Sequence, residues 1–338
     1  MDASRAGELL AIANGARARL RAGNDATVLD EVERAHADML DAMQWYLEQG
    51  QADDAYRLAS ALVPFWMATK RLDVGARWFA DALMRPAGSD ASRARALYDH
   101  GYLVFWSGDY EISASRFRDA RALAALVPDH EIEALALAGS ARVALNDDVD
   151  EAIRLLREAL AVTADMPGSS GRSSAMHVLG VALQMSGDFP AARDVIRERL
   201  ELGRALHDDS IVFVESANLS MVERQLGNLE EAEALSREAL RIVVRERNEL
   251  AIPWVINGLA AVTAAQEGHE RAATLLGIAE GLLERAGGEW PPDEREQHDG
   301  TLGMLERSLS AETLEQRRRA GFAMSLDDGV AYALSDDR

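Results

Sequence analysis

Cysteine is absent from this 338-residue chain, lysine occurs once, proline eight times, and aromatic residues make up only 6%. Without cysteine there is no disulfide, thiolate metal site, iron–sulfur cluster or cysteine nucleophile. Positive charge is scarce: 36 Lys and Arg face 57 Asp and Glu, a formal net charge of −21. That balance argues against direct nucleic-acid binding, which needs a cationic face to displace counterions from phosphate, and against anionic membrane surfaces. No apolar run approaches the twenty or so residues of a membrane span. The opening residues Met1-Asp2-Ala3-Ser4-Arg5 lack the apolar stretch of a signal peptide, so the expected location is the cytoplasm. With 48% hydrophobic residues the chain can nevertheless bury a core, as one large or two ordinary domains.

Alanine is abundant, at 60 residues. It is the best helix former, and its small side chain lets helices approach closely. A recurring signature combines a small or polar turn, an aromatic or aliphatic residue, and a small residue three positions later. It reads Gly108-Asp109-Tyr110 with Ser113, Asp147-Asp148-Val149 with Ala152, Gly187-Asp188-Phe189 with Ala192, and Gly227-Asn228-Leu229 with Ala232. A degenerate copy is Gly268-His269-Glu270 with Ala273, and an earlier one is Lys70-Arg71-Leu72 with Gly75. Successive turns are 38, 39, 40, 40 and 41 residues apart. Seven residues before most turns stands another small residue (Gly101, Ser140, Gly180, Ser220, Ala261), and nine after the better ones a bulky residue (Phe79, Phe117, Leu156, Ile196). Small positions let the two helices of a pair pack closely, and the bulky residue fills the groove between pairs. The pattern resembles the tetratricopeptide (TPR) repeat, stretched from 34 to about 40 residues.

Helical periodicity agrees. Between Glu151 and Val162 the apolar residues form one broad stripe, with Arg154, Arg157 and Glu158 opposite. The expected fold is all-α: a right-handed α–α superhelix, a TPR-like solenoid of about six helical hairpins with flanking helices. Residues 1–54 read as a helical lead-in (Gly7–Ala22, Val28–Gln49), 55–288 as the repeats, and 289–338 as capping helices beyond the Gly287-Gly288-Glu289-Trp290-Pro291-Pro292 linker. The last segments are expected near Asp293–Leu309, Ala311–Ala320 and from Ser325, whose hydroxyl can accept the Asp328 amide proton. A solenoid end must cover its last apolar face, so atypical ends are expected.

A more specific resemblance rests on three segments. Residues 55–59 (Ala-Tyr-Arg-Leu-Ala), Phe65-Trp66 and 77–83 (Arg-Trp-Phe-Ala-Asp-Ala-Leu) are similar to the first repeat after the ATPase module of LuxR/MalT-like and AfsR-like bacterial transcription regulators. The tail resembles the segment that closes many of these STAND-type proteins. It runs from Arg271-Ala272-Ala273-Thr274-Leu275-Leu276-Gly277 through Trp290-Pro291-Pro292 to 325–334 (Ser-Leu-Asp-Asp-Gly-Val-Ala-Tyr-Ala-Leu). There is no Gly-x-x-x-x-Gly-Lys-Ser/Thr phosphate loop, and no basic helix-turn-helix follows the repeats before Arg338. The resemblance therefore implies the C-terminal sensing and interaction layer of such a regulator, as a fragment or as a stand-alone relative.

Catalytic and metal motifs are missing. The seven histidines are scattered without a His-Glu-x-x-His pair, and no metal site or cofactor is expected. Asn146-Asp147-Asp148-Val149-Asp150-Glu151 lacks the glycine and the twelfth-position glutamate of a calcium loop, and reads as a capped turn. His207-Asp208-Asp209 reads the same way, and Arg317-Arg318-Arg319 as a solvated face. In TPR-like pairs the first helix of each repeat lines the concave side. Carried onto this chain, that implies a groove of Arg95, Tyr98, Tyr102, Phe105, Trp106, His177, Gln184, Met185, Met221, Arg224 and Gln225. Aromatic and Arg anchors of this kind dominate binding hot spots, although the same rings could simply pack against neighbouring helices. The expected role is a non-enzymatic sensor that binds a peptide, a protein partner or a small effector and regulates a transcription-control ATPase in cis or in trans. The alternative is a structural adaptor for protein–protein assembly, self-association to a homodimer included.

Overall fold

A computed structural model describes residues 1–22 and 26–335; Arg338 and the rest of 336–338 lie outside the described residues, as do 23–25. The described chain forms seventeen α-helices and no strand, and none of these helices is long and apolar enough to cross a membrane. Two compact units divide it, Met1–Asp188 and Phe189–Arg338.

The first unit opens with α1 (Ala3–Ala22) and α2 (Ala26–Glu48). Three antiparallel pairs follow: α3 (Ala52–Ala68) with α4 (Leu72–Leu83), α5 (Asp90–Trp106) with α6 (Tyr110–Leu126), and α7 (His130–Ala144) with α8 (Val149–Val162). Helix α9 (Ser170–Met185) closes the unit. Each helix packs on the next, and the first helices also pack on one another, α3 on α5, α5 on α7 and α7 on α9. This double adjacency is the stacking mode of TPR-like solenoids. The second unit contains α10 (Phe189–Leu206), α11 (Asp209–Gln225), α12 (Leu229–Arg245), α13 (Ala251–Ala265) and α14 (His269–Arg285). Helices α15 (Pro292–Ser308), α16 (Ala311–Phe322) and α17 (Leu326–Leu334) all pack against α14.

The turns explain the forty-residue signature. Gly108, Gly187 and Gly227 have φ of 86°, 79° and 83°, a conformation that side chains resist, and each directly precedes the cap of the following helix. Lys70 adopts the same conformation without being glycine, at 57°. In the degenerate copy the left-handed residue is Glu267 (φ 65°), not Gly268, which instead caps α14. The repeat register there is thus one residue earlier than the Gly268 motif suggests, and the last interval is 40 rather than 41. At Asp147 no left-handed residue occurs; Asp148 takes the cap and its side chain accepts the Glu151 amide at 2.9 Å. Asp208 caps α11 in the same way, accepting from Ile211 at 3.0 Å. Both acidic clusters are therefore helix starts, as their sequences imply.

Small and bulky positions meet as the repeat pattern requires. Phe117 is fully buried between Gly101 of its own pair and Gly139 of the next; a methyl group on Gly139 would lie 2.6 Å from its ring. Twelve residues separate Gly101 from Ser113, and the Ser113 hydroxyl donates to the Gly101 carbonyl at 2.9 Å. The equivalent pair Ser220 and Ala232 makes the same bond in reverse, with Ser220 donating to the Ala232 carbonyl at 2.7 Å. One hydroxyl per crossing is enough, and either helix can carry it. At the end of the chain, Ser325 accepts the Asp328 amide at 3.2 Å, as its spacing predicts. The arginine run behaves differently from a solvated face. Arg317 and Arg318 pair with Glu270 and Glu280 and tie α16 to α14, and only Arg319 stays on its own helix, paired with Glu315.

Candidate functional site

In the first unit a cavity of about 480 Å³ opens along the first helices of the repeats. Arg95, Tyr98, Asp99 and Tyr102 recur at i, i+3, i+4 and i+7 of α5, which puts them on one face. All four line the cavity. Arg95 Nε donates to the buried Asp99 carboxylate at 2.9 Å, and its guanidinium lies 5.6 Å from the Tyr98 ring centre. Tyr98 and Tyr102 stack with centroids 6.0 Å apart, and the Arg142 guanidinium of α7 lies over Tyr102 at 5.9 Å. Arg142 also donates to Ser174 Oγ of α9 at 3.2 Å. Burial pushes the Tyr98 hydroxyl up to about 12, so it stays neutral and can donate. Burial works against the Arg95 charge, but Asp99 more than offsets it and the guanidinium is held above its ordinary value. With Arg17 also on the wall, the described lining carries three guanidinium groups and the Asp99 carboxylate.

Across the cavity, Pro64 sits inside α3 and has no N–H to offer the Ser60 carbonyl, and the Ser60 hydroxyl is buried without a partner. Both residues line the same wall.

Of the residues expected to form one groove, the structure brings Arg95, Tyr98 and Tyr102 together here. Trp106 continues their stripe, edge-on to Tyr102 at 6.2 Å, but stands 52% exposed beyond the cavity. Phe105 is turned about 80° from Arg95 around the helix axis, at 100° per residue, and packs on Trp106 and Tyr110 instead. His177 and Gln184 of α9 are half-buried outside the lining, with the Gln184 amide donating to the Gly180 carbonyl at 3.4 Å. Met185, from the same helix, is exposed. Asp99, Arg142 and Arg17 are the charged lining residues that sequence reading missed. For Arg142 a signal existed: it stands thirteen residues after Asp129, which caps α7, as Tyr102 stands thirteen after Ser89, which caps α5.

Met221 and Arg224 belong to a separate cavity in the second unit, about 250 Å³ between α11, α13 and the start of α15. Gln225 is exposed and outside it. Most of its wall is apolar, from Phe213, Val214, Ala217, Met221, Val255 and Val262. Arg224 Nε and the indole nitrogen of Trp254 are buried there without hydrogen-bond partners. Burial holds the Arg224 guanidinium below its ordinary value, with no acid beside it to offset the loss of water. The one carboxylate on the wall, Glu294, accepts from Asn257 at 2.9 Å.

Comparison with known proteins fits this architecture. A tetratricopeptide repeat family matches residues 217–247, the second half of α11 with α12. Over 208 residues the chain is 30% identical to proteins of Mycobacterium bovis and Mycobacterium tuberculosis that carry the name HTH-type transcriptional regulator. The match covers 58% of this chain and 23% of those relatives, so the chain spans less than a quarter of their length. Among solved structures, RapI in its apo form superposes with a TM-score of 0.59 at 12% identity, covering 92% of this chain and 85% of RapI. NprR in complex with its cognate peptide NprX gives 0.51 at 16%, covering 86% and 85%. A Rap protein complexed with Competence and Sporulation Factor gives 0.51 at 16%, covering 97% and 96%. At such identities the solved structures show the fold alone. The described residues are thus all-helical and TPR-like, and over 208 residues the chain is similar to proteins named HTH-type transcriptional regulators.

Proposed function

We propose that this chain is the sensing and interaction layer of a cytoplasmic, LuxR-type transcription regulator, and that it binds a peptide or a peptide-like segment of a protein partner. The reading takes residues 55–288 as the recognition repeats and 289–338 as their cap. Its carrying observation is the α5–α7 wall of the first cavity, where Arg95, Arg142 and two stacked tyrosines offer cationic and aromatic anchors side by side. Aromatic faces recognise side chains, and a guanidinium fork recognises a carboxylate. Support also comes from NprR, which shares the fold and was solved with a cognate peptide. The bound segment would favour one arrangement of the repeats by its differential affinity and so bias a transcription-control ATPase in the same or a neighbouring chain. No step of this role requires catalysis, metal or cofactor.

A thermal-shift screen with short synthetic peptides carrying a free C-terminus tests the reading, because a ligand at 100 times its Kd stabilises by about 2.7 kcal/mol. The expected result is a rise in Tm that Tyr102→Ala and Arg142→Met both abolish. A screen in which no peptide shifts Tm, or hits that both variants retain, overturns it. A second reading, an adaptor that docks folded proteins, rests on exposed Trp106 (52%) and Tyr110 (44%) beside Phe105. It requires instead that Trp106→Ala abolish capture of a partner while Tyr102→Ala leaves it intact.

A further inference from the structure

The second cavity has a composition that folding alone does not explain. Arg224 stands at the register that Phe105 occupies in the earlier repeat, sixteen residues after the cap of its helix. An apolar residue there would extend the apolar part of the wall. Instead a guanidinium is held in a space lined by Phe213, Val214, Ala217, Met221, Val255 and Val262. Among the described residues Arg224 has no ion-pair partner, and its Nε proton is buried with nothing to receive it. The Trp254 indole N–H, on the same wall but from α13, is also buried without an acceptor. A buried donor without an acceptor leaves its lost hydration uncompensated, the more so when it is charged. The charged one, Arg224, marks the place where an anionic acceptor belongs.

The wall also settles the sign and size of that acceptor. Its single carboxylate, Glu294, receives the Asn257 and Gln297 amides on one oxygen. The wall then offers the Arg224 charge, the Trp254 N–H and the Asn218 amide beside apolar side chains, in about 250 Å³. That space holds roughly ten non-hydrogen atoms. We infer that the α11–α13 cavity binds a small organic acid, with its carboxylate on Arg224 and its aromatic or branched aliphatic body against Phe213, Met221 and Val255. The apolar body supplies affinity through burial, and the carboxylate supplies selectivity by satisfying donors that otherwise stay unmet. This site is independent of the peptide reading, since every residue in it belongs to the second unit.

The test uses the whole chain and three probes: phenylacetate, its neutral isostere phenylacetamide, and acetate. Titration calorimetry is expected to show phenylacetate binding at least tenfold tighter than phenylacetamide, with acetate the weakest. Arg224→Met should remove the preference for phenylacetate while leaving phenylacetamide affinity within twofold, and Arg224→Lys should restore part of it. In ¹H–¹⁵N spectra the indole signal missing from Trp254→Phe should move on adding phenylacetate, because Trp254 lines the same cavity. Equal affinity for acid and amide, or an unchanged preference in Arg224→Met, would overturn the assignment. So would binding of a phenylalanine-terminated tetrapeptide with no binding of phenylacetate, which would place a chain end rather than a free acid in the cavity.

Discussion

Gly321 of α16 rests on the backbone of Thr274 in α14 so closely that a methyl group at 321 would meet the Thr274 carbonyl oxygen at 2.0 Å. The contact is reciprocal, because a methyl on Gly277 would meet the Arg318 carbonyl oxygen at 2.1 Å. Both obstacles are backbone, which cannot rotate aside. Gly321→Ala is therefore expected to force α16 off α14 at a cost of about 3 kcal/mol, the upper end for overpacking. Chemical denaturation should show a lower midpoint, and amides of α16 should exchange faster. Wild-type stability in Gly321→Ala would mean that the two helices do not cross at this distance.

Phe117 gives a second prediction. It fills the space left by Gly101 and Gly139, and its burial is complete. Phe117→Ala should destabilise the first unit by about 3–5 kcal/mol through lost transfer energy and a residual cavity. Phe117→Leu, which refills most of the space, should recover more than half of that loss. Similar midpoints for the Ala and Leu variants would show that this position does not wedge the pairs apart.

Both residues bear on what the sequence could disclose. Phe117 was legible because a bulky residue recurs nine residues after four of the six turns, and a repeated side chain reports a repeated contact. The helix pairs, their order and the cap at Ser325 were legible for the same reason, since local spacing determines local hydrogen bonds. Gly277 and Gly321 could be read as glycines within helices but not as a crossing point, because the partner is a backbone some forty residues away and leaves no pattern of its own. The candidate site was legible by face and not by grouping. Spacing placed Arg95, Tyr98 and Tyr102 on one stripe, and Met221 and Arg224 on another, but a single stripe does not reveal that the two sets line different cavities. Nor could it reveal that Asp99 would neutralise Arg95 while Arg224 would have no acid at all.

A third prediction concerns Glu223, whose carboxylate is fully buried in α11. Arg197 of α10 donates to it at 2.6 Å and to Glu231 of α12 at 2.7 Å, and Asn228 donates to its second oxygen at 2.7 Å. Removing Arg197 leaves a buried charge held by one amide. Arg197→Met is expected to cost about 2 kcal/mol, less than a wholly buried pair because Arg197 is itself 38% exposed. Adding Glu223→Gln to that variant should return much of the loss, as a double-mutant cycle would show. Additive losses would mean that the two side chains do not interact.

His298 sets the response of the second unit to alkali. Its imidazole lies 2.8 Å from a Glu280 oxygen that also receives Arg318, and 2.9 Å from Asp299. The hydrogen bond to Glu280 raises the histidine above its ordinary value despite burial. A raised value means that the folded state holds its proton more tightly than the unfolded chain. The stabilisation is complete below about pH 6.5 and is lost as pH rises through the raised value. Because Arg318 stays on Glu280 throughout, part of the anchoring survives the loss of the proton. Exchange of α15 amides should accelerate as pH rises above about 6.5, and His298→Gln should flatten that dependence.

His100 gives the first unit the opposite sensitivity. It is buried at 4% exposure, stacked on Phe79 with centroids 6.5 Å apart, and its Nδ1 has no partner. Burial, with Arg116 nearby, holds the imidazole down at about 4. The folded state therefore keeps it neutral while the unfolded chain takes up a proton below about pH 6.5, and stability falls with pH across that window until about 4. The full drop is about 3 kcal/mol. Acidification from pH 7 to 5 should thus lower the melting of the first unit while His298 keeps its full contribution to the second, and calorimetric traces should broaden or split. His100→Leu removes the titrating group and should abolish the acid-dependent part of the shift. If the variant loses stability on acidification as steeply as the wild type, the proton is taken up elsewhere.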